Sequence, residues 1–228
     1  MKQAIAILAK APQPGKVKTR LVGRLCEEDA AELYRCFLMD TIALAKRVRG
    51  ADVVVSFTPS GAEYLFESLA PGCTLTAQRG EDLGQRIFST VRDVLTLGYE
   101  SVVVIGADSP TMPPQFLGRA FKLAGKQSKP LVLGPAYDGG YYLIAASEWH
   151  EDLFKGIEWS TNRVLEQTID QARKLNREIA LLPPWYDVDS AEDLDVLAAE
   201  LRHPVTPYGP RRSIAVNTVE FLKSRCLV

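Results

Sequence analysis

The sequence predicts an α/β protein: a mostly parallel central sheet with helices on both faces. Two observations carry that expectation. Apolar, β-branched runs alternate with amphipathic segments of helical period along most of the chain. Such a βαβα rhythm needs crossover helices, and these cover both faces of a parallel sheet. A chain of 228 residues, 46% hydrophobic and 24% charged, can bury a full core and has the composition of a soluble globular domain.

The first strand is "QAIAILA" (3–9), followed by the loop "AKAPQPGKVKTRL" (9–21). A long helix then runs from about Glu28 to Val48, with Leu33, Phe37, Thr41, Leu44 and Val48 on one face. Further strands are expected at 51–58, 73–78, 101–108, 130–136, 141–146 and 178–183, and further helices at about 83–97, 114–125, 161–176 and 190–201. "HPVTPYGPRR" (203–212) is rich in proline and breaks the pattern. The expected organisation is therefore one domain over 1–202 and a tail over 203–228 with a short helix.

Formal net charge is −1, so no global field attracts nucleic acid or an anionic membrane, and any anion site must be local. Cys26, Cys36, Cys73 and Cys226 are scattered without metal spacing and read as reduced thiols. With only His150 and His203, a histidine-bound zinc or a Ser-His-Asp engine has little to work with. The first apolar run is cut by Lys10 before any cleavage site, and no run is long enough to span a bilayer. A cytoplasmic protein is expected.

In a parallel sheet, chemistry sits in the loops at the carboxyl ends of the strands. The opening loop holds Lys10, Lys16, Lys18 and Arg20 and leads into a helix, while Gly15 lets backbone approach a ligand. A solvated basic patch is the bland alternative; anion binding is the stronger reading, with Lys16 the one most easily left as surface. No Walker loop is present, since Lys10 and Val17 stand where glycine and Ser or Thr are required, and no G-x-G-x-x-G follows a strand. In "VVVIGADSPTMPP" (102–114), Asp108 ends a strand of four β-branched residues, and a hard divalent cation is its best partner. Thr111 is expected to cap the helix that follows near Pro113 or Pro114.

"GPAYDGGYYLI" (134–144) reads as a hairpin turn, or as a place where Gly139 and Gly140 let a ligand lie on backbone beside Asp138. In "WYDVDSAEDL" (185–194), Ser190 and Asp193 form a capping box. Asp187 and Asp189 alternate along an extended segment and so face one side.

Five segments in this order, "AKAPQPGKVKTRL", "GADSPTMPP", "GPAYDGGYYLI", "IEWST" and "DVDSAEDL", closely resemble the bacterial family called domain of unknown function 2064. That family is labelled a glycosyltransferase group of the GT-A, or nucleotide-diphospho-sugar transferase, superfamily. It is also similar to cofactor guanylyltransferases and sugar-phosphate nucleotidylyltransferases. The resemblance spans about residues 1 to 202 and implies a nucleotide-binding half followed by an acceptor-binding half. On that likeness Lys10, Lys18 and Arg20 would grip phosphates, with Ala11 and Gly15 of the same loop beside the nucleotide. Asp108 and Asp189 would hold Mg²⁺ or Mn²⁺. "QRGEDLGQR" (78–86) would approach the base, through Gly80, Asp82, Leu83, Gly84 and Arg86. Gly139, Gly140, Trp159 and Ser160 would meet the acceptor. The family's Cys-Pro-Arg-Thr-like element near the C-terminus is replaced here by "AVNTVEFL".

Two reactions fit: glycosyl transfer from a nucleotide sugar, and attack of a phosphorylated small molecule on an NTP with release of pyrophosphate. In both, a divalent ion held by Asp108 and Asp189 would neutralise phosphate charge while Lys18 and Arg20 would stabilise developing charge; in glycosyl transfer, Asp138 or Glu158 would act near the acceptor or donor sugar. A nucleotide sensor without turnover is the rival from another class. The expected partners are a nucleotide or nucleotide-sugar donor and a small acceptor, not nucleic acid or membrane. Trp149 and Trp185 are expected to pack, and Tyr141 and Tyr142 to point to opposite sheet faces.

Overall fold

A computed structural model describes residues 2–202 and 214–228. The proline-rich stretch 203–212 lies outside them. Among the described residues the order is β1 (Gln3–Lys10), α1 (Glu27–Ala45), β2 (Ala51–Thr58), α2 (Glu63–Leu69), β3 (Thr74–Ala77), α3 (Leu83–Thr96) and β4 (Ser101–Ile105). It continues with α4 (Pro114–Ala124), β5 (Leu131–Pro135), β6 (Tyr141–Ala146), α5 (Val164–Lys174), β7 (Ile179–Leu181), α6 (Ala191–Arg202) and α7 (Val216–Ser224).

The strands form one sheet in the order β3-β2-β1-β4-β6-β5-β7. Pairs β1–β2, β1–β4, β2–β3 and β5–β7 are parallel, and β6 runs antiparallel to both β4 and β5. The side-chain period of two sorts each central strand between two cores. Ile5 and Ile7 of β1 join Val53, Val55, Val103 and Ile105 beneath α1, α2 and α4. Ala4 and Ala6 face the other way and join Val54, Val102 and Val104 beneath α3 and α5. Tyr141 and Tyr142 divide in the same way. Small alanines on one face of β1 let α3 approach closely, whereas the isoleucines fill the space under α1.

The helix starts follow local chemistry. Asp82 caps α3 by accepting the Gln85 N–H at 2.8 Å, and Gln85 Oε1 accepts the Glu81 N–H at 3.0 Å. Ser190 and Asp193 form the expected capping box of α6, with Ser190 N–H to Asp193 Oδ2 at 2.8 Å and Asp193 N–H to Ser190 Oγ at 3.3 Å. The structure corrects three expectations. Helix α2 was not foreseen, because its seven residues bury only Phe66 and show little period. Thr111 does not cap α4: the helix starts at Pro114, whose missing N–H needs no cap, and Thr111 is fully buried against the Tyr186 hydroxyl at 3.1 Å. Helix α5 begins at Val164 because Ser160 takes a left-handed φ of 65° and the chain turns before it can coil.

Candidate functional site

The loops after β1 and β4, the turn before β6 and the segment before α6 converge on a cavity of ≈ 630 Å³ at the carboxyl ends of the central parallel strands. Lys18 is the centre of this arrangement. Its φ of 49° and ψ of 36° are left-handed, an uncommon place for a side chain that lacks glycine's freedom. From there its ammonium group reaches Asp108 Oδ1 at 2.5 Å and Asp189 Oδ1 at 2.7 Å, and donates to the Val188 carbonyl at 2.7 Å. Burial works against the charge on Lys18, but Asp108 and Asp189 outweigh it and hold the pKa above the ordinary lysine value. Asp189 is likewise disfavoured by burial, yet Lys18, Arg20 and Lys10 keep its carboxyl below the usual range.

Backbone ties keep these groups together. The Val188 N–H donates to the Asp108 carbonyl at 2.9 Å, so the strand-end and the segment before α6 are stitched directly. Val188 itself is fully buried, which turns Asp187 and Asp189 to the cavity as their alternation predicts. Asp187 accepts a hydrogen bond from the Ser109 hydroxyl. Burial, with the nearby charges of Asp108, Asp189 and Asp138 added, pushes its carboxyl up to about 7 despite that bond. Behind Lys18 stand two aromatic rings, Tyr34 at 5.9 Å and Phe37 at 5.6 Å from the ammonium nitrogen.

Of the residues singled out from sequence, Lys10, Lys18, Arg20, Leu83, Arg86 and Asp108 border this cavity on one side. Asp138, Gly140, Trp159, Ser160 and Asp189 also border it. Lys16, read as surface, lines the mouth as well. The side chains of Lys10, Lys16 and Arg20 make no hydrogen bond or close ion pair with described residues, and Lys10 and Arg20 act on Asp189 only at longer range.

The remaining candidates do other work. Ala11 is buried, and its N–H donates to the Thr58 carbonyl at 2.8 Å, fastening the loop to the end of β2. Gly15 makes room for Glu27, whose Oε2 would lie 2.9 Å from an added Cβ. Asp82 is occupied as the α3 cap. At Gly80, Gly84 and Gly139 the space a Cβ would take is filled by protein atoms. A Cβ on Gly80 would sit 2.5 Å from Gln85 Cβ, one on Gly84 2.5 Å from Trp159 Cζ2, and one on Gly139 2.1 Å from the Asn162 carbonyl oxygen. Trp159 thus lies over the first turn of α3, joining the two sides of the cavity. Asp138 accepts the Gly140 N–H at 2.9 Å in a two-residue turn.

Sequence reasoning passed over Gln78, Tyr34 and Asn162, which also line the cavity. Gln78 could have been marked as the first residue after β3. Its Nε2 donates to the carbonyls of Ser56 at 2.6 Å and Ala9 at 3.2 Å, locking it across β2 and β1. Nothing in the sequence distinguishes Tyr34 from the other buried positions of α1.

Among the described residues no group of three or more His, Cys, Asp or Glu side chains forms a metal cage. The available donor set is the Asp108 and Asp189 pair. Each offers Oδ1 to a single point, held here by the lysine ammonium, and each side chain is part-exposed, 38% and 47%. Two convergent carboxylates with open neighbouring positions suit Mg²⁺ or Mn²⁺, hard ions that complete their shells with water and phosphate oxygen. No helix among the described residues is long and apolar enough to cross a membrane, and all four cysteines are free thiols.

This architecture is the nucleotide-diphospho-sugar transferase fold, with its site in the usual place at the strand ends. The chain belongs to the bacterial family described as "Uncharacterized protein conserved in bacteria (DUF2064)", which matches residues 41–161. A crystal structure of a provisionally assigned nucleotide-diphospho-sugar transferase from Desulfovibrio desulfuricans G20 is 31% identical, with a TM-score of 0.84 over 98% of this chain and 97% of that one. Phosphoenolpyruvate guanylyltransferase of Rhodococcus erythropolis is 29% identical over 80% of this chain and 84% of its own length. The Rv0371c protein of Mycobacterium tuberculosis, solved in complex with manganese, shares the fold at a TM-score of 0.51 and 14% identity, covering 86% of this chain and 98% of its own. The relatives named here as enzymes are transferases that act on nucleotides.

Proposed function

We propose that this chain is a nucleotidyltransferase that joins an NTP to a phosphorylated small molecule and releases pyrophosphate. The observation that carries the proposal is the set of cations, Lys10, Lys16 and Arg20, that make no close ion pair with described residues, at the mouth of a cavity with a carboxylate pair in its floor. A triphosphate brings more negative charge than a diphosphate sugar and needs more positive partners. The guanylyltransferase from Rhodococcus erythropolis supports the same choice.

In this reading Lys10 and Arg20 hold the β- and γ-phosphates, with Arg86 near the base or ribose and Leu83 beneath it. Asp108 and Asp189 hold Mg²⁺ or Mn²⁺, which supplies charge neutralisation of the phosphates when bound. Gly140, Trp159 and Ser160 form the acceptor end, where Asp138 orients the attacking group. The acceptor oxygen forms a bond to the α-phosphorus, the bond from that phosphorus to the bridging oxygen breaks, and the electron pair leaves with pyrophosphate. Arg20 stabilises that leaving charge, and positioning does the rest. Every residue given a role lies within a catalytic unit over 1–202, to which the 203–228 tail is an addition. No step calls for nucleic acid or a membrane.

Glycosyl transfer from a nucleotide sugar is the second reading, favoured by the name of the Desulfovibrio relative. The test is a thermal-shift panel of the four common NTPs and of UDP- and GDP-sugars with Mg²⁺ or Mn²⁺. It is followed by product analysis, with GTP and phosphoenolpyruvate as the first pair. Pyrophosphate release is the expected result; release of UDP or GDP would select glycosyl transfer. No stabilisation by any nucleotide would reject both.

A further inference from the structure

We infer that Lys18 is not a phosphate-binding lysine but the built-in counter-ion of the carboxylate pair, a positioning residue that competes with the divalent cation for Asp108 and Asp189. The inference rests on the reading of the cavity as a metal–nucleotide site. An ammonium group has three N–H donors and no acceptor. All three have partners inside the protein: Asp108 Oδ1 at 2.5 Å, Asp189 Oδ1 at 2.7 Å and the Val188 carbonyl at 2.7 Å. The side chain is only 4% exposed, and the Tyr34 and Phe37 rings stand 5.9 and 5.6 Å from its nitrogen. A phosphate oxygen finds no free proton on it, whereas Lys10 and Arg20 keep theirs.

The geometry gives the ammonium a second consequence. It occupies the point on which both Oδ1 atoms converge, so it keeps two like charges together while no metal is bound. A divalent ion drawn to the same oxygens must displace Lys18 or sit beside a positive charge, and either weakens its binding.

The test compares wild type with Lys18→Met and Lys18→Gln, each as the full chain. Calorimetric titration with Mn²⁺ alone should show at least tenfold tighter binding to both variants. Thermal melts should show the variants losing several degrees in EDTA and regaining them in Mn²⁺, because the metal replaces the missing ammonium. Affinity for tripolyphosphate in EDTA should stay within twofold of wild type in both, but fall at least fivefold in Arg20→Ala. Lys18→Gln keeps two donors for the carboxylates and maintains the test if Lys18→Met does not fold.

Unchanged or weaker Mn²⁺ binding in the variants would overturn the inference. So would a loss of tripolyphosphate affinity matching that of Arg20→Ala. If Asp108→Asn binds Mn²⁺ as tightly as wild type, the metal lies elsewhere and the reading of the site fails together with the role given to Lys18. A wild type that needs Asp108 for Mn²⁺, combined with variants that bind no tighter, rejects the role of Lys18 alone.

Discussion

At Gly139 the chain adopts a φ of 91°, and an alanine methyl would lie 2.1 Å from the Asn162 carbonyl oxygen. The conformation penalises any Cβ, and the neighbour is backbone with no freedom to turn aside. Gly139→Ala should therefore destabilise by about 2–4 kcal/mol, measured by urea unfolding, because strain and overpacking add. A cost under about 0.5 kcal/mol would show that the two loops do not pack as described. Asp187 offers a test in pH. Its folded pKa is raised to about 7 from an ordinary 3.8, first by burial and then by its acidic neighbours. Such a carboxyl supports the fold below its unfolded pKa and loses that support as pH rises through the folded value. In EDTA, Asp187→Asn should flatten the decline in Tm between about pH 4 and pH 7 and melt higher than wild type at about pH 8. A steeper decline in the variant would contradict the assignment.

These residues also mark what the sequence could tell. Asp108, Asp189 and the capping pair Ser190 and Asp193 were legible because strand ends, alternation and capping have local signatures. The partners of Lys18 were not, since they lie 90 and 171 positions away and its three contacts depend on where two loops meet. Charge is visible in a sequence, but whether that charge is already matched within the protein, as it is at Lys18, is not. The packing around glycines was equally hidden: at Gly80, Gly84 and Gly139 the space a Cβ would take is filled by Gln85, Trp159 and Asn162.

At the scale of elements, α7 shows how a short terminal helix is fastened. Its own N-cap, Ala215, provides no side-chain acceptor. The buried Asp40 of α1 supplies it instead, accepting the N–H groups of Asn217 and Thr218 at 3.0 and 2.8 Å, together with their side chains at 2.7 and 2.6 Å. An acceptor borrowed from another helix satisfies orphan donors and sets negative charge at the positive end of the dipole. Leu222 and Val219 then pack with Leu33 and Phe37 of α1 and Leu197 of α6. Leu21 and Val188, on either side of Lys18 and Asp189, belong to the same cluster. Leu222→Ala should cost about 2–5 kcal/mol by denaturant unfolding, as for other fully buried leucines. Asp40→Ala should be of similar severity, about 2–4 kcal/mol, because four donors lose their acceptor. A near-neutral result for both would mean that α7 does not stay on α1 in solution. The sequence could not foresee this, because the acceptor for the helix start, Asp40, lies 177 positions away from Asn217.

For the whole molecule, the strand and helix rhythm gave the layered architecture correctly, since periods of 2 and 3.6 are written into each segment. It could not give the direction of β6, which depends on how strands pair across the sheet. The charge balance also acts at this scale. A net charge of −1 hides a cavity mouth lined by Lys10, Lys16 and Arg20. Tripolyphosphate should accordingly bind more weakly as ionic strength rises, with a salt dependence reduced in Arg20→Ala, while duplex DNA should not be retained at physiological salt. Salt-independent binding of the polyphosphate would show that these cations do not face the ligand.

The reversed strand β6 has one more consequence. Because it runs against β4, the turn at Asp138 and Gly140 arrives at the same edge of the sheet as the ends of β1 and β4. The walls of the cavity are thus encoded by separate stretches of chain: the loops of the first 110 residues on one side, and a nearly contiguous piece from Asp138 to Val164 on the other, with Asp187 and Asp189 added from the segment before α6. Such a division lets one wall be exchanged while the other is kept. A chimera carrying residues 136–164 of a relative should inherit that relative's choice of acceptor and retain this protein's choice of nucleotide.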